Sequence, residues 1–219
     1  INKPIRWKSF DVVKKLRNIS RIKKIGHAGT LDPLATGLLI ICYGKYTKKI
    51  ESMQAQEKGY EGSFELGKTT PSFDLETAVD NVYPFDHITP QFLEEKLELF
   101  RGSIKQVPPQ FSAVKVNGKR AYEHARKGKK IELKVRDTHI SKFEVDQSLF
   151  PSLKFRIQCS KGTYIRSLAR DLGYALDSGA YMSSLTRTSI GNYLLGDAIQ
   201  ISDIKDSEDF FKFARQLPS

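Results

Sequence analysis

Residues 26–37 read GHAGTLDPLATG and constrain the fold more than any other segment of this 219-residue chain. Glycine permits positive φ angles and close backbone approach, and Pro33 disfavours a helical conformation for Asp32 before it. The apolar run 38–42 follows directly and predicts a buried strand. The sequence therefore predicts a specifically folded loop that holds one carboxylate, Asp32, beside His27. Two other interpretations stay open: Asp32 can close a turn, and His27 can be a loop histidine bonded to a backbone carbonyl.

Hydrophobic periodicity predicts three long helices. Ser9 is the predicted N-cap of a helix through about Asn18, and Thr89-Pro90 opens a second helix that ends at Gly102. A third helix is predicted from 164 to 176, and a short charged helix or tail from 202. The predicted apolar faces of the first two helices are Phe10, Val13 and Leu16, and Phe92, Leu93, Leu97 and Phe100.

Alternating apolar and polar residues predict strands near 60–66, 135–145, 153–159 and 184–193. Residues 105–130 are basic and rich in glycine and proline, which predicts a loop with one short helix. Strands and helices follow each other irregularly, and no repeat or linker divides the chain. This order favours an α+β domain over a doubly wound parallel sheet.

The positive charge is concentrated in two segments. Residues 1–50 carry 12 basic and 2 acidic side chains, and residues 101–140 carry 11 and 3, whereas residues 51–100 carry 3 and 11. Basic segments of this kind favour a polyanion partner, because each phosphate that they neutralise releases counterions. The alternative is a soluble protein of high pI with solvated charged faces.

Several classes of protein are excluded. No stretch approaches the roughly 20 apolar residues that span a bilayer, so no membrane association is expected. Cys42 and Cys159 are the only cysteines, too few for a disulfide scaffold or a four-cysteine zinc site. No secretory leader is recognisable, and a reduced, cytoplasmic compartment is expected.

The segment 26–37 resembles the signature loop of the TruB family of tRNA pseudouridine synthases, and five further blocks occur in the family's order. These blocks are KP followed by SFDVV (3–13), KGY followed by LG, Thr69 and Asp74 (58–74), PPQFSAVK followed by GKRAY (108–122), CSKGTYIR followed by DLG (159–173), and LTRT followed by Gly191 (185–191). Together they cover nearly the whole chain.

The resemblance implies the α+β pseudouridine synthase fold: a mixed, mostly antiparallel sheet with flanking helices. It implies a catalytic domain at 1–201, with an RNA-gripping insertion at about 105–132, and a short C-terminal helix or tail at 202–219. Family members often continue with an RNA-binding domain of the PUA type. The sequence ends before such a domain, so a short form without it is expected.

The resemblance also assigns catalytic roles. Asp32 matches the family's catalytic aspartate, and Arg166 matches an arginine that can hold this carboxylate bidentately and keep it ionised. Tyr60 matches the tyrosine that stacks on the target base and is the candidate for proton removal. From their positions alone, Tyr60 is equally a core residue of its strand, and Arg166 a surface residue of its helix. The reaction has no redox step, so neither cofactor nor metal is expected.

A further set of residues is expected to bind RNA. His27 matches the histidine that packs against the RNA where the base is displaced, and Leu185 the apolar residue on the other face of the base. Lys3 is expected to support the active-site loop. Basic residues of the insertion and of the N-terminal segment are expected to contact phosphates: Lys115, Lys119, Arg120, Arg126, Lys127, Lys129 and Lys130, and Lys14, Lys15, Arg17, Arg21, Lys23 and Lys24.

The expected function is therefore isomerisation of uridine to pseudouridine at position 55, in the T-arm of tRNA, by base flipping. The expected partner is tRNA, bound by a monomer. A second hypothesis is an RNA-binding and folding chaperone in which catalysis is secondary. A third is a hydrolase that cleaves a glycosidic bond or an RNA strand with Asp32 and His27.

Overall fold

The computed structural model describes residues 1–112, 114–116, 118–129 and 131–214, with only the backbone of Lys115. Within these ranges the helices are α1 Ser9–Ser20, α2 Ile50–Ala55, α3 Pro90–Glu98, α4 Ala121–Ala125, α5 Ile165–Ala175 and α6 Ser207–Phe213. The strands are β1 Asn2–Lys3, β2 Ile25–Ala28, β3 Thr36–Leu38, β4 Ile40–Tyr43, β5 Lys58–Leu66, β6 Lys68–Thr69, β7 Asn81–Val82, β8 Gly102–Gln106, β9 Lys115–Val116, β10 Lys119–Arg120, β11 Arg136–Leu149, β12 Ser152–Cys159, β13 Ala180–Ile190 and β14 Tyr193–Leu194.

The chain forms two compact units. The first contains Ile1–Tyr60 and the chain from Leu185 onwards, and the second contains Glu61–Ser184. The division falls within two strands, β5 and β13.

In the first unit, β13 runs parallel to β3, with Thr186 opposite Thr36 and Arg187 opposite Gly37. On its other side β3 pairs antiparallel with β1, and β13 turns back into β14. Gly37 has φ 102°, and a Cβ atom there would lie 2.4 Å from the carbonyl oxygen of Arg187. Only glycine allows the two strands to approach this closely.

Helix α1 packs on this unit with a different face from the predicted one. Val12, Val13 and Leu16 are buried, but Phe10 is 56% exposed and lies against Arg17. The apolar face is set by Val12 instead of Phe10, and the predicted Ser9 cap is also wrong. The N-cap is Lys8, whose backbone N–H donates to the Asp11 carboxylate at 2.8 Å.

The single strand predicted at 38–42 is divided in two. β3 ends at Leu38, and β4 begins at Ile40 and pairs with β2. Leu39 between them is fully buried, and its N–H donates to the carbonyl of Ile1. One continuous apolar run thus contributes strands to two separate sheets. Its hydrophobicity is the same on both sides of Leu39, so it does not indicate where one strand ends and the next begins.

The second unit contains the antiparallel strands β8, β11 and β12 in the order β12–β11–β8. Phe64 of β5 is fully buried, with its ring centroid 4.3 Å from that of Phe155. Helix α3 begins at its predicted position: Thr89 accepts the Phe92 N–H at 3.1 Å. The expected third helix is also present as α5, whereas β11 extends four residues beyond the predicted strand, to Leu149.

These pairings confirm the predicted α+β class with a mixed, mostly antiparallel sheet and flanking helices. Across the residues that the structure describes, no helix combines the length and apolar character that a membrane span requires.

We predict that Gly37→Ala lowers the free energy of unfolding by at least about 2 kcal/mol, because the added Cβ both strains the backbone and clashes with β13. Gly196→Ala is the matched control, since a Cβ there meets nothing within 4 Å. Urea denaturation should leave the control within about 0.5 kcal/mol of wild type. A Gly37→Ala protein as stable as the control would contradict the close approach.

Candidate active site

The predicted Asp32 loop joins β2 to β3 in the first unit. Asp32 is half-buried, and its backbone carbonyl accepts the Ala35 N–H at 3.1 Å, which closes a turn after Pro33. Ser9 fixes the preceding residue: its Oγ accepts the N–H of Leu31 at 2.8 Å and donates to the carbonyl of Leu31 at 3.1 Å. Ser9 therefore anchors the loop to α1 instead of capping the helix.

Arg187 holds the loop from the side of β13. Its side chain is fully buried, and it donates through Nε to the carbonyl of Leu38 at 2.8 Å. Its two terminal nitrogens donate to the carbonyls of Gly29 at 3.1 Å and of Thr30 at 3.5 Å. One guanidinium thus binds the backbone at both ends of the loop, and its positive charge is buried there.

Lys3 holds the loop from the side of β1. It too is fully buried, and its Nζ donates to the carbonyls of Trp7 at 2.6 Å, Pro4 at 2.9 Å and Pro33 at 3.4 Å. Burial lowers the pKa of Lys3 to about 8, and the neighbouring Asp32 carboxylate opposes this shift. Asp32 is therefore supported by a cation whose protonation is sensitive to pH.

His27 lies in β2 opposite Ile41 of β4. Burial lowers its pKa, and the nearby backbone of Gly29 partly opposes this effect. The imidazole is accordingly neutral at neutral pH.

Leu185 and Tyr60 lie on neighbouring strands. Leu185 is 8% exposed, and its carbonyl accepts from Oγ1 of Thr36 at 3.4 Å. Gly59 of β5 lies against β13, since a Cβ atom there would be 2.5 Å from Oγ of Ser189. Tyr60 follows Gly59 and is half-buried. The first unit therefore contains the anchored Asp32 carboxylate, an apolar side chain on β13, the strand beside β3, and an aromatic side chain on β5, the strand beside β13.

Arg166 belongs to the second unit, in the first turn of α5. It is 3% exposed, so the alternative of a surface arginine is wrong. Its Nε lies 3.5 Å from the carboxylate of Asp74, and its terminal nitrogens donate to the carbonyls of Ser72 at 3.2 Å and Phe111 at 2.9 Å. Bidentate binding of Asp32 by Arg166 stays a prediction.

Of the basic residues expected in the insertion, Lys119 and Arg120 are exposed on β10. Arg126 forms an ion pair with Glu76 at 2.8 Å. The side chain of Lys115 and the whole of Lys130 lie outside the described residues. Among the described residues, no group of three or more His, Cys, Asp or Glu side chains is arranged to hold a metal ion.

Sequence reasoning assigned no role in the site to Arg187 or Asp74, and it made Ser9 a helix cap, whereas Ser9 anchors the loop. A signal exists for Arg187: it lies two residues after Leu185 and hence on the same, inward side of β13. An arginine at an inward position needs buried acceptors. Asp74 offers no such signal, because its partner Arg166 is distant in sequence.

We predict that Lys3 makes the folded state gain stability as the pH rises from about 8 to about 10.5. Burial releases its proton near pH 8 in the folded protein, whereas the unfolded chain keeps it to about 10.5, so in this window the unfolded state binds more protons. The free energy of unfolding from urea denaturation should therefore rise more with pH for wild type than for Lys3→Met. Lys68→Met, which removes an exposed lysine, should retain the wild-type slope. Equal slopes in all three proteins would contradict the buried, charged Lys3.

Comparison with known proteins identifies the family. The model of the TruB family pseudouridylate synthase (N terminal domain) matches residues 17–165, and that of the tRNA pseudouridylate synthase B C-terminal domain matches residues 166–215. The tRNA pseudouridine synthase B of Flavobacterium johnsoniae is 50% identical over 214 residues, which are 94% of this chain and 93% of that protein. Its counterpart in Parabacteroides distasonis is 53% identical over 211 residues, 94% of this chain and 90% of that protein.

Solved structures share the fold. A chain in the crystal structure of a Cbf5-Nop10-Gar1 complex gives a TM-score of 0.72 at 27% identity, covering 96% of this chain and 54% of that one. A chain in the structure of an H/ACA RNP bound to a substrate RNA containing 2'-deoxyuridine gives 0.70 at 25% identity, covering 96% and 53%. This chain spans about half the length of those two. The matches to both parts of the family's sequence show that the chain belongs to the TruB family of pseudouridine synthases, which isomerise uridine to pseudouridine in tRNA.

Proposed function

We propose that this chain isomerises the uridine at position 55, in the T-arm of tRNA, with Asp32 as the essential carboxylate. The observation that carries the proposal is the anchoring of the Asp32 loop. Lys3, Arg187 and Ser9 bind its backbone from three elements, β1, β13 and α1. A loop fixed in this way holds one carboxylate at a defined place, as covalent or electrostatic catalysis requires.

The reaction needs few catalytic groups. The bond between N1 of uracil and C1′ of ribose breaks, the base rotates, and C5 forms the new bond to C1′. The proton leaves C5, and N1 ends the reaction protonated, so atoms and electrons balance without a co-reactant. Asp32 serves as nucleophile or charge partner at the sugar or base, and Tyr60 is the group proposed to remove the C5 proton.

Leu185 and Tyr60 are proposed to hold the flipped base between them. Their strands adjoin within the first unit, and an aromatic ring with an apolar side chain suits the two faces of uracil. Extrusion of the base costs roughly a few kcal/mol in lost stacking. The neutral ring of His27 is proposed to pack against the RNA where the base has left. Arg166 is proposed to keep Asp32 ionised.

The insertion is proposed to grip the RNA through Lys115, Lys119 and Arg120. The exposure of the last two supports this role, because side chains in water reach phosphates without losing a protein partner. We further propose that the chain acts as a monomer in the cytoplasm, where its tRNA substrate is found.

We predict that Asp32→Asn abolishes pseudouridine formation and leaves tRNA affinity within about threefold, since one neutral amide replaces a carboxylate of equal size. The assay incubates the protein with unmodified tRNA or with an isolated T-arm hairpin and maps pseudouridine chemically. Asp86→Asn, which changes an exposed aspartate of the second unit, is the matched control and should retain full activity.

The alternatives give different results in this assay or in a complementation experiment. Turnover by Asp32→Asn would refute the role of Asp32, and modification at another uridine would refute position 55. A hydrolase would release free uracil or cleave the strand, whereas isomerisation leaves the mass unchanged. Full complementation of a deletion strain by Asp32→Asn would favour the chaperone hypothesis.

We predict that Lys119→Gln with Arg120→Gln weakens tRNA binding and lowers the slope of log affinity against log salt by about 1 to 2, because up to two phosphate contacts are lost. The matched control neutralises two exposed lysines elsewhere in the second unit, Lys68→Gln with Lys154→Gln. Binding is measured by filter retention at several salt concentrations. Identical slopes for both double variants would refute the proposed grip.

A further inference from the structure

A basic groove of about 620 Å³ lies on the first unit, between the segment after β1, helix α1 and the chain before α6. Its lining includes Arg6, Trp7, Asp11, Lys14, Lys15 and Lys205. Sequence reasoning placed Lys14 and Lys15 among many flanking basic residues. The structure places them on one concave surface with a tryptophan and with a lysine that is 190 residues away in the chain.

The groove has a strong excess of positive charge. Four cationic side chains line it against one carboxylate, Asp11, and one oxygen of that carboxylate accepts the backbone N–H of Lys8 at 2.8 Å. Within the described ranges, none of the four cations forms an ion pair. Their charge is therefore not paired with a carboxylate of the protein, and it favours an anionic ligand.

Trp7 adds an aromatic surface to this charge. The Nζ of Lys15 lies 6.0 Å from the centroid of the Trp7 ring and donates to the carbonyl of Ile201 at 3.1 Å. Trp7 is half-buried, so part of its ring faces the groove. Cations beside a partly exposed aromatic ring match the phosphates and the flat bases of RNA.

The groove is joined directly to the Asp32 loop. The backbone N–H of Arg6 donates to the carbonyl of Pro33 at 2.7 Å. Lys3 donates to the carbonyls of both Trp7 and Pro33. Pro33 follows Asp32, so the wall of the groove and the residue next to the carboxylate are held by the same hydrogen bonds.

From this connection we propose that the basic groove binds the sugar-phosphate backbone of the RNA substrate close to the nucleotide that reaches Asp32, with Trp7 against a base or ribose. The inference rests on the proposed function and adds a second RNA contact, separate from the insertion. The phosphates come either from the T-arm itself or from another part of the tRNA.

The test uses Trp7, the only tryptophan in the chain. Intrinsic fluorescence is recorded while the full-length protein is titrated with unmodified tRNA or with the T-arm hairpin. We expect quenching that saturates with binding. In Lys14→Gln with Lys205→Gln, which changes two exposed lysines, the affinity lost between 50 and 200 mM salt should shrink by about tenfold, as expected for two fewer phosphate contacts.

The same Lys68→Gln with Lys154→Gln protein is the control and should keep the wild-type salt dependence. An effect of the groove variant with both RNAs assigns the phosphates to the T-arm, and an effect with tRNA alone assigns them elsewhere in the tRNA. Absence of quenching, or a wild-type salt dependence with both RNAs, would overturn the inference. Failure of the proposed function is recognised separately, as absence of pseudouridine in either RNA treated with wild-type protein.

Discussion

Two fully buried cations, Lys3 and Arg187, hold the backbone on which Asp32 stands. A buried charge is costly unless hydrogen bonds replace its water, and here the acceptors are carbonyls of the loop and its neighbours. The loop carbonyls therefore accept the hydrogen bonds that the buried cations require, and the same hydrogen bonds hold the loop in place. Ser9 adds a third attachment at Leu31. These hydrogen bonds fix the position of the carboxylate. Through Pro33 they also fix the position of the basic groove.

Long segments with a clear period were predictable from the sequence, and segments whose period is ambiguous were not. Helix α5 lies close to its predicted position, and α3 begins where the Thr89 cap predicts, although α3 ends at Glu98 and the predicted end, Gly102, is the first residue of β8. The division of the apolar run at Leu39 was missed, because hydrophobicity is equal on both sides of the break. The spacing of Phe10 predicts burial, but Phe10 is exposed because Val12 supplies the packing surface.

The site divides in the same way. Asp32 is predicted as a site residue because a local motif of glycine, proline and aspartate carries the signal within twelve residues. Arg187, which anchors that motif, is distant in sequence, and so is Arg166 from its partner Asp74 in the second unit. Single-sequence patterns describe neighbours along the chain, and these contacts depend on which strands become neighbours in space. The combination of Trp7 with Lys205 was hidden for the same reason.

The parallel pairing of β3 with β13 has a consequence for synthesis on the ribosome. Residues 36 and 37 emerge about 150 residues before their partners Thr186 and Arg187. Until that late strand leaves the exit tunnel, the carbonyls of Gly29 and Leu38 have no guanidinium, and the space beside Gly37 is empty. The Asp32 loop therefore reaches its final shape only after about 150 further residues have been made, because its anchor Arg187 comes from that later strand.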